Sequence, residues 1–457
     1  MLESDTLQDP GVQLRLRALL RATANDLKRP DEVADTDLRL PPGTFTRLVD
    51  GHEPITWELL AAAAAVWPVN VRDLLPLHDD TNLDVRICRA SDSTASERTI
   101  ARGGTAYYTY RDTAMSRLAS YRPEWIGMLC TVGDNYWDNP AVQWNSGHLL
   151  YQFTYMVGKV NYYYRWNGRS YCIPMNTGDS VFGLPFAPHS FTRRDAGEPA
   201  HILALTYGGD LTGDPQRELA VLGGDAAQAL TFNGAGHGQA ALLASFLQAR
   251  MLGPAELAAR SGIEPLRVDA LLTGKVTAAV SELAPLAAAL RVHPRELLPI
   301  TADASADGVV VQRAVDARRW QLGPQQAPAY DVVQLAGDRL HPHTTAVELH
   351  PRSAEPDGPA WLSTYQHQYV YVLGDKGTQM TWTSGDGQHH AALAPGDSVY
   401  LKPLVPVAFF RGGRLLVLRI GGAVRPDVRF ALGAMADDGR HRYVRDTHLW
   451  YSLEGKR

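Results

Sequence analysis

The chain reads as an α+β fold built by tandem repetition: a helix-turn-helix-like helical block plus a small β-barrel, then both again, with the second barrel degenerate. Three observations predict it. At 457 residues the chain is too long for one ordinary core, so several domains are expected. The segment Val69-Asn-Val-Arg72-Asp-Leu-Leu-Pro-Leu77 recurs as Val292-His-Pro-Arg295-Glu-Leu-Leu-Pro-Ile300. Further along each half, Gly178-Asp-Ser-Val-Phe recurs as Gly396-Asp-Ser-Val-Tyr, and Tyr151-Gln-Phe-Thr-Tyr-Met-Val-Gly158 as His367-Gln-Tyr-Val-Tyr-Val-Leu-Gly374. A duplicated two-part unit is the simplest explanation.

The elements follow in order. Residues 1–80 form the first helical block, with an amphipathic run around 12–28 and an Ala/Leu-rich helix from Trp57 to Val66. Residues 85–215 alternate apolar and polar positions between Gly-Asp turns, as strands and hairpins of a barrel do. The helical pattern returns at 235–300, with runs at 241–262 and from Ser281 to Leu290. The barrel pattern returns at 305–425. The tail, 426–457, carries no motif that assigns it.

Composition excludes several classes. Net charge is −5, and the 19 Tyr and 10 Trp suit β-rich barrels. Cys88, Cys130 and Cys172 are widely spaced, so a reducing, cytoplasmic setting is expected rather than a disulfide framework. No basic segment leads into an apolar core at the N-terminus, and no apolar run approaches a membrane span. Helix-turn-helix blocks suggest a DNA-binding regulator whose barrel senses a ligand. Residues 1–80, however, hold eight Lys/Arg against fourteen Asp/Glu, whereas a DNA reader needs a basic face. No nucleic-acid partner is expected. A homo-oligomer is left open.

The candidate chemistry lies in the first barrel. His148 and Gln152 stand in His-x3-Gln spacing, and His189 follows about forty residues on, after a Gly-Asp turn and a Pro. Two histidines and a carboxylate would form the face that leaves open positions on non-haem iron. Here a neutral amide takes the carboxylate's place. The repeat supplies an internal control. Thr364 replaces His148, Val407 replaces His189, and only Gln368 persists opposite Gln152. A lone amide cannot hold a metal, so the second barrel should be metal-free. His78-Asp79-Asp80 also fits an iron-ligand pattern, but at the end of a helical block it reads as a solvated turn.

These motifs resemble the cupin iron enzymes that act on phosphonates, a group that includes 2-hydroxyethylphosphonate dioxygenase, methylphosphonate synthase and hydroxypropylphosphonate epoxidase. Asn145-Ser-Gly-His148 is similar to the family's Asn-x-Gly-His, and Pro188-His189-Ser-Phe to the segment bringing its second histidine. Arg102-Gly-Gly-Thr-Ala-Tyr-Tyr-Thr-Tyr110 resembles the strand that lines its substrate pocket. The resemblance implies Fe(II) on His148, Gln152 and His189. It implies a phosphonate held by Arg102, Tyr110, Asn145 and Lys28, the last reaching out of the helical block from the same chain or another. It implies no catalytic residue beyond the metal ligands.

The family divides at the third ligand. The epoxidase has Glu at the place of Gln152. The dioxygenase takes a Glu from six residues before the second His, where this chain has Gly183. The synthase uses Gln, as here, with an apolar residue at the other place. The resemblance therefore implies O2-dependent cleavage of 2-hydroxyethylphosphonate to methylphosphonate and CO2, with hydroxymethylphosphonate and formate as the alternative outcome.

Overall fold

The computed structural model describes residues 7, 9–119, 121–209, 212–224, 237–298, 308–338, 344–354, 360–385, 387–421 and 426–451, the side chains of 237, 426 and 448–451 excepted. The expected segment limits at 235, 300, 305 and 425 and the last residues, 452–457, lie outside this set.

Each helical block closes over its own apolar core. In the first, Leu16, Leu20, Phe45, Leu60 and Trp67 are buried together. Its longest helix, Pro10–Asp26, starts where a proline at the first position needs no N–H and the Asp9 carboxylate accepts from Val12 N at 2.9 Å. Leu243, Leu257, Leu286 and Leu290 do the same work in the second block. One buried glutamine ties each block across its helices. Gln13 donates to Ile55 O (2.9 Å) and accepts from Ile55 N (2.9 Å). Gln239 donates to Leu297 O (3.1 Å) and accepts from Ala278 N (2.6 Å).

Among the described residues the β-rich parts contribute twenty strands. The first ten are β1 (Val85–Cys88), β2 (Arg98–Arg102), β3 (Thr105–Asp112), β4 (Tyr121–Met128), β5 (Tyr151–Val157), β6 (Val160–Trp166), β7 (Arg169–Met175), β8 (Ser180–Gly183), β9 (His189–Arg193) and β10 (His201–Tyr207). The second ten are β11 (Val309–Gln312), β12 (Arg319–Leu322), β13 (Tyr330–Gln334), β14 (Thr344–Pro351), β15 (His367–Leu373), β16 (Thr378–Ser384), β17 (Gly387–Leu393), β18 (Ser398–Leu401), β19 (Val407–Phe410) and β20 (Arg414–Ile420). Each barrel pairs a seven-stranded antiparallel sheet with a three-stranded one. The orders are β11-β8-β5-β10-β4-β3-β2 with β7-β6-β9, and β1-β18-β15-β20-β14-β13-β12 with β17-β16-β19. The second set reproduces the first with every strand number moved by ten.

The exception to a simple tandem is that the first strand of each repeat crosses to the other barrel. β1 pairs with β18, and β11 pairs with β8. The segments 85–215 and 305–425 are therefore interlocked, not separate. Both crossings are latched alike. Asp397, 2% exposed, accepts from Arg89 Nη1 at 2.7 Å and from Ala90 N at 2.8 Å. Asp179, 5% exposed, accepts from Arg313 Nη1 at 2.8 Å and from Ala314 N at 2.9 Å. The Gly-Asp turns seen in the sequence are these latches. Their glycines have φ of +92° (Gly178) and +87° (Gly396), and a Cβ there would sit 3.0 Å and 3.1 Å from the incoming Ala314 and Ala90 methyls. Only glycine fits both demands.

The first helical block is moored to the second barrel. Lys402 Nζ bridges Asp79 (2.8 Å) and Asp84, and Trp382 Nε1 donates to Leu83 O at 3.0 Å. Asp80 accepts from Ser116 Oγ at 2.6 Å and pairs with Arg86. His78-Asp79-Asp80 was expected to be a solvated turn. Its two aspartates instead form the joint between helical block and barrels, because the crossing of β1 brings them against both. The tail is helical at Pro426–Gly433 and Asp437–Tyr451, and the latter packs on Pro10–Asp26. Arg295 lies over the Phe430 ring at 4.3 Å and pairs with Asp427 at 2.7 Å. No helix of the described residues is long and apolar enough to cross a membrane.

Two histidines outside the cleft give the fold a pH dependence. His201 stacks on Trp125 at 4.9 Å, and His367 Nδ1 lies 2.7 Å from Tyr400 Oη. Burial lowers both from 6.5 to about 4. Between those values the unfolded chain binds protons that the folded chain refuses. Stability should therefore fall as pH drops through that window. Urea midpoints of the metal-free protein should decline from neutral pH toward pH 4. A flat profile would show that neither histidine stays neutral in the fold.

Candidate metal and substrate site

The side chains of β5, β6 and β9 that point into the first barrel converge at one end of it. His148, Gln152 and His189 line a single small cleft there, with Thr154, Tyr162, Val181, Gly183, Leu184 and Ala187. The loop before β5 sets His148. Phe186 N donates to His148 O at 2.8 Å, drawing the two mouth loops together. Gly147 has φ +78°, and a Cβ on it would lie 2.7 Å from the Phe186 carbonyl carbon and oxygen. The glycine of the Asn-x-Gly-His motif is there because the Phe186 backbone occupies that space.

The donor chemistry fits a metal ion. Each histidine places its Nδ1 2.9 Å from a backbone carbonyl, Leu150 O for His148 and Ala187 O for His189. Nδ1 then carries the proton and Nε2 keeps its lone pair, the usual arrangement behind a metal-binding imidazole. The rings are 5.2 Å apart, centroid to centroid, at 86°. Gln152 Nε2 donates to Thr154 Oγ1 at 2.9 Å, which turns Oε1 toward His148 Nε2, 3.2 Å away. In this tautomer two lone pairs face each other with no proton between them, a contact that a shared cation would relieve. Burial lowers His189 to about 4, so its ring is neutral and free to ligate. The described residues hold no cluster of three His, Cys, Asp or Glu.

Asn145 is wired to the second histidine. Its Oδ1 accepts from His189 N (2.7 Å) and Gly147 N (3.0 Å), and its Nδ2 lies 3.0 Å from His189 Nε2. Arg102, on β2, lies over the Tyr108 ring at 4.9 Å, donates to Gln143 O at 3.3 Å and is felt electrostatically at His189. Tyr110, on β3, is raised by burial and by Glu124, with Arg102 close enough to offset part of that. Arg102, Tyr110 and Asn145 thus share the His189 side of the barrel. No hydrogen bond or ion pair among the described residues links Lys28 to them. It is exposed at the end of Pro10–Asp26 with φ +56°, and its Nζ donates to Asn25 O at 3.3 Å. Its block is moored to the second barrel through Asp79, Asp84 and Leu83, a consequence of the strand crossing.

In the second barrel Gln368 survives, but a different cation meets it. Register places Arg419 beside Gln368 as Thr206 stands beside Gln152. Arg419 Nε donates to Gln368 Oε1 at 2.9 Å, and no carboxylate pairs with it among the described residues. Burial lowers its pKa. A fixed guanidinium therefore lies against the amide oxygen that would otherwise face a metal. Neither Tyr162 nor Arg419 stood out in the sequence reading, although the repeat alignment held the signal: Met380 replaces Tyr162, and Arg419 replaces Thr206.

Known proteins bear out the family suggested by these residues. The chain is 37% identical over 94% of its length, and 94% of the relative's, to a methylphosphonate synthase of Nitrosopumilus maritimus (strain SCM1). It belongs to the methylphosphonate synthase and 2-hydroxyethylphosphonate dioxygenase family. Among solved structures it matches a Streptomyces albus 2-hydroxyethylphosphonate dioxygenase with 2-hydroxyethylphosphonate and Fe(II) bound. That match has 53% identity and a TM-score of 0.89, covering 97% of this chain and 100% of that one. PhpD with cadmium, at 21% identity and a TM-score of 0.74 over 94% of this chain, shares the family's fold. A scan of protein-family models finds no match.

Proposed function

We propose that the chain is an Fe(II)- and O2-dependent enzyme that cleaves the C–C bond of 2-hydroxyethylphosphonate. One observation carries this: His148, Gln152 and His189 meet in one cleft of a chain 53% identical to a dioxygenase holding that substrate and Fe(II). His148 Nε2, Gln152 Oε1 and His189 Nε2 would hold the metal, which when bound supplies the activation of O2. The protein's own part is to bind and orient. Arg102, Tyr110 and Asn145 supply a guanidinium, a hydroxyl and an amide N–H to the phosphonate, a donor set suited to a dianion. Three neutral ligands leave the metal's double charge uncompensated, so an anionic substrate is a natural further ligand. Iron should be held tightly only with substrate present.

Gln152 as a neutral ligand, with no acid at Gly183, supports methylphosphonate and CO2 as products. A second reading, hydroxymethylphosphonate and formate, is favoured by the higher identity to the dioxygenase, 53% against 37%. It is favoured too by the open space at Gly183, where a Cβ would meet nothing closer than 3.8 Å. The test is 31P NMR after a pulse of O2 on anaerobic protein with Fe(II) and 2-hydroxyethylphosphonate. Methylphosphonate is the outcome that the ligand set supports. Dominant hydroxymethylphosphonate would establish the second reading, and no turnover with no iron uptake would overturn both.

Lys28, whose Nζ donates to Asn25 O in its own chain, would serve the phosphonate of a second copy. Lys28→Ala is then expected to weaken substrate-dependent iron retention or raise KM strongly, since removing a charged partner from a buried anion costs on the order of 2–5 kcal/mol. Unchanged retention and KM would remove Lys28 from the site.

A further inference from the structure

Tyr162 is the remaining polar group of the cleft without an assigned partner. Its ring is wedged between Tyr164 (5.4 Å, 16°) and Phe191 (5.0 Å, 24°), which fixes where the hydroxyl points. The residue is 3% exposed, yet it lines the cleft beside His148, Gln152 and His189. A Cβ on Gly183 would lie 3.8 Å from Tyr162 Oη, and Gly183 is paired with Gln152 across β5 and β8. The hydroxyl is thus on the Gln152 side of the cleft. No hydrogen bond to it forms among the described residues, whereas its neighbours Tyr107, Tyr108 and Tyr163 all bond to protein groups. The hydroxyl thus opens onto the cleft, where whatever binds there can meet it.

The second barrel shows that packing does not require the phenol. Tyr162 pairs with Phe191 and Ile173 as Met380 pairs with Phe409 and Ala391. Met380, fully buried, fills the same position in the barrel that has lost both histidines. The hydroxyl accompanies the ligands and disappears with them.

We infer that Tyr162 donates a hydrogen bond to an oxygen atom of the bound reactants on the Gln152 side of the cleft, and so positions that oxygen for the reaction. The inference rests on the function proposed above. The oxygen belongs either to the substrate's alcohol or to O2, and the test separates the two. Tyr162→Phe removes only the hydroxyl, and Tyr162→Met copies the second barrel. Anaerobic Fe(II) retention as 2-hydroxyethylphosphonate is titrated reads the alcohol, while kcat/KM for O2 and O2 consumed per substrate read the other. If the partner is the alcohol, both variants need roughly tenfold more substrate to retain iron. If it is O2, retention is unchanged while kcat/KM for O2 falls roughly tenfold and more O2 is consumed per substrate. Wild-type values throughout, in a protein that does take up iron with substrate, would overturn the inference alone. Unfolding of both variants would overturn it as well, since the phenol would then be a packing element. Failure of the unaltered protein to take up iron would overturn the site and the inference together.

Discussion

His148→Ala and His189→Ala should each abolish iron retention in the presence of 2-hydroxyethylphosphonate, against about one iron per chain in the unaltered protein. Each histidine has its Nδ1 against a backbone carbonyl, which leaves its Nε2 unprotonated on the cleft side, and no other imidazole lines the cleft to replace it. Losing a supporting residue around a metal site typically costs about 10–100-fold in affinity, and losing a ligand from an already weak set should cost at least that. Changes at Thr364 and Val407 should leave iron uptake untouched, because the Arg419 guanidinium already lies against Gln368 in that barrel. Metal analysis after anaerobic gel filtration would decide it. A second stoichiometric iron held within 305–425 would refute the degenerate-barrel reading.

Asp397→Ala should destabilise the whole fold by about 3 kcal/mol, through two orphaned backbone donors and a lost charge-assisted bond. Ala90 N and Ala394 N both donate to this carboxylate, at 2.8 and 3.0 Å, and its own side chain is buried. Against a total of about 5–15 kcal/mol for a folded domain, that is a large share. Asp179→Ala should behave alike for the mirrored reason, and the two losses should add, since the latches share no partner. Denaturant midpoints would test this. Loss confined to one barrel, with the other still unfolding at its original midpoint, would show that the repeats are not coupled by their exchanged strands.

Much of this was legible in the chain itself. The repeats were visible as text, and period-two alternation between Gly-Asp turns marked the strands, because a sheet with one face buried writes its pattern into the sequence. The three metal-ligand candidates were legible for a different reason. Duplication supplied a sister copy in which Thr364 and Val407 stand where His148 and His189 do. Tyr162 and Arg419 obeyed the same logic, but they sit among apolar strand positions where only register identifies their counterparts.

The sequence by itself thus determined the fold class and the family and singled out the three candidate donors, each carried by local pattern or by comparison of one half with the other. The tertiary structure alone decided that β1 and β11 change barrels and that Asp79 and Asp80 form a joint between the first helical block and both barrels. Those outcomes depend on which edge of which sheet is open to receive a strand. Backbone N–H and C=O groups pair with any extended segment, so the side-chain pattern of β1 would suit either edge. The choice lies with contacts far apart in the chain, Arg89 with Asp397 and Arg313 with Asp179, whose energies exist only once both barrels have closed.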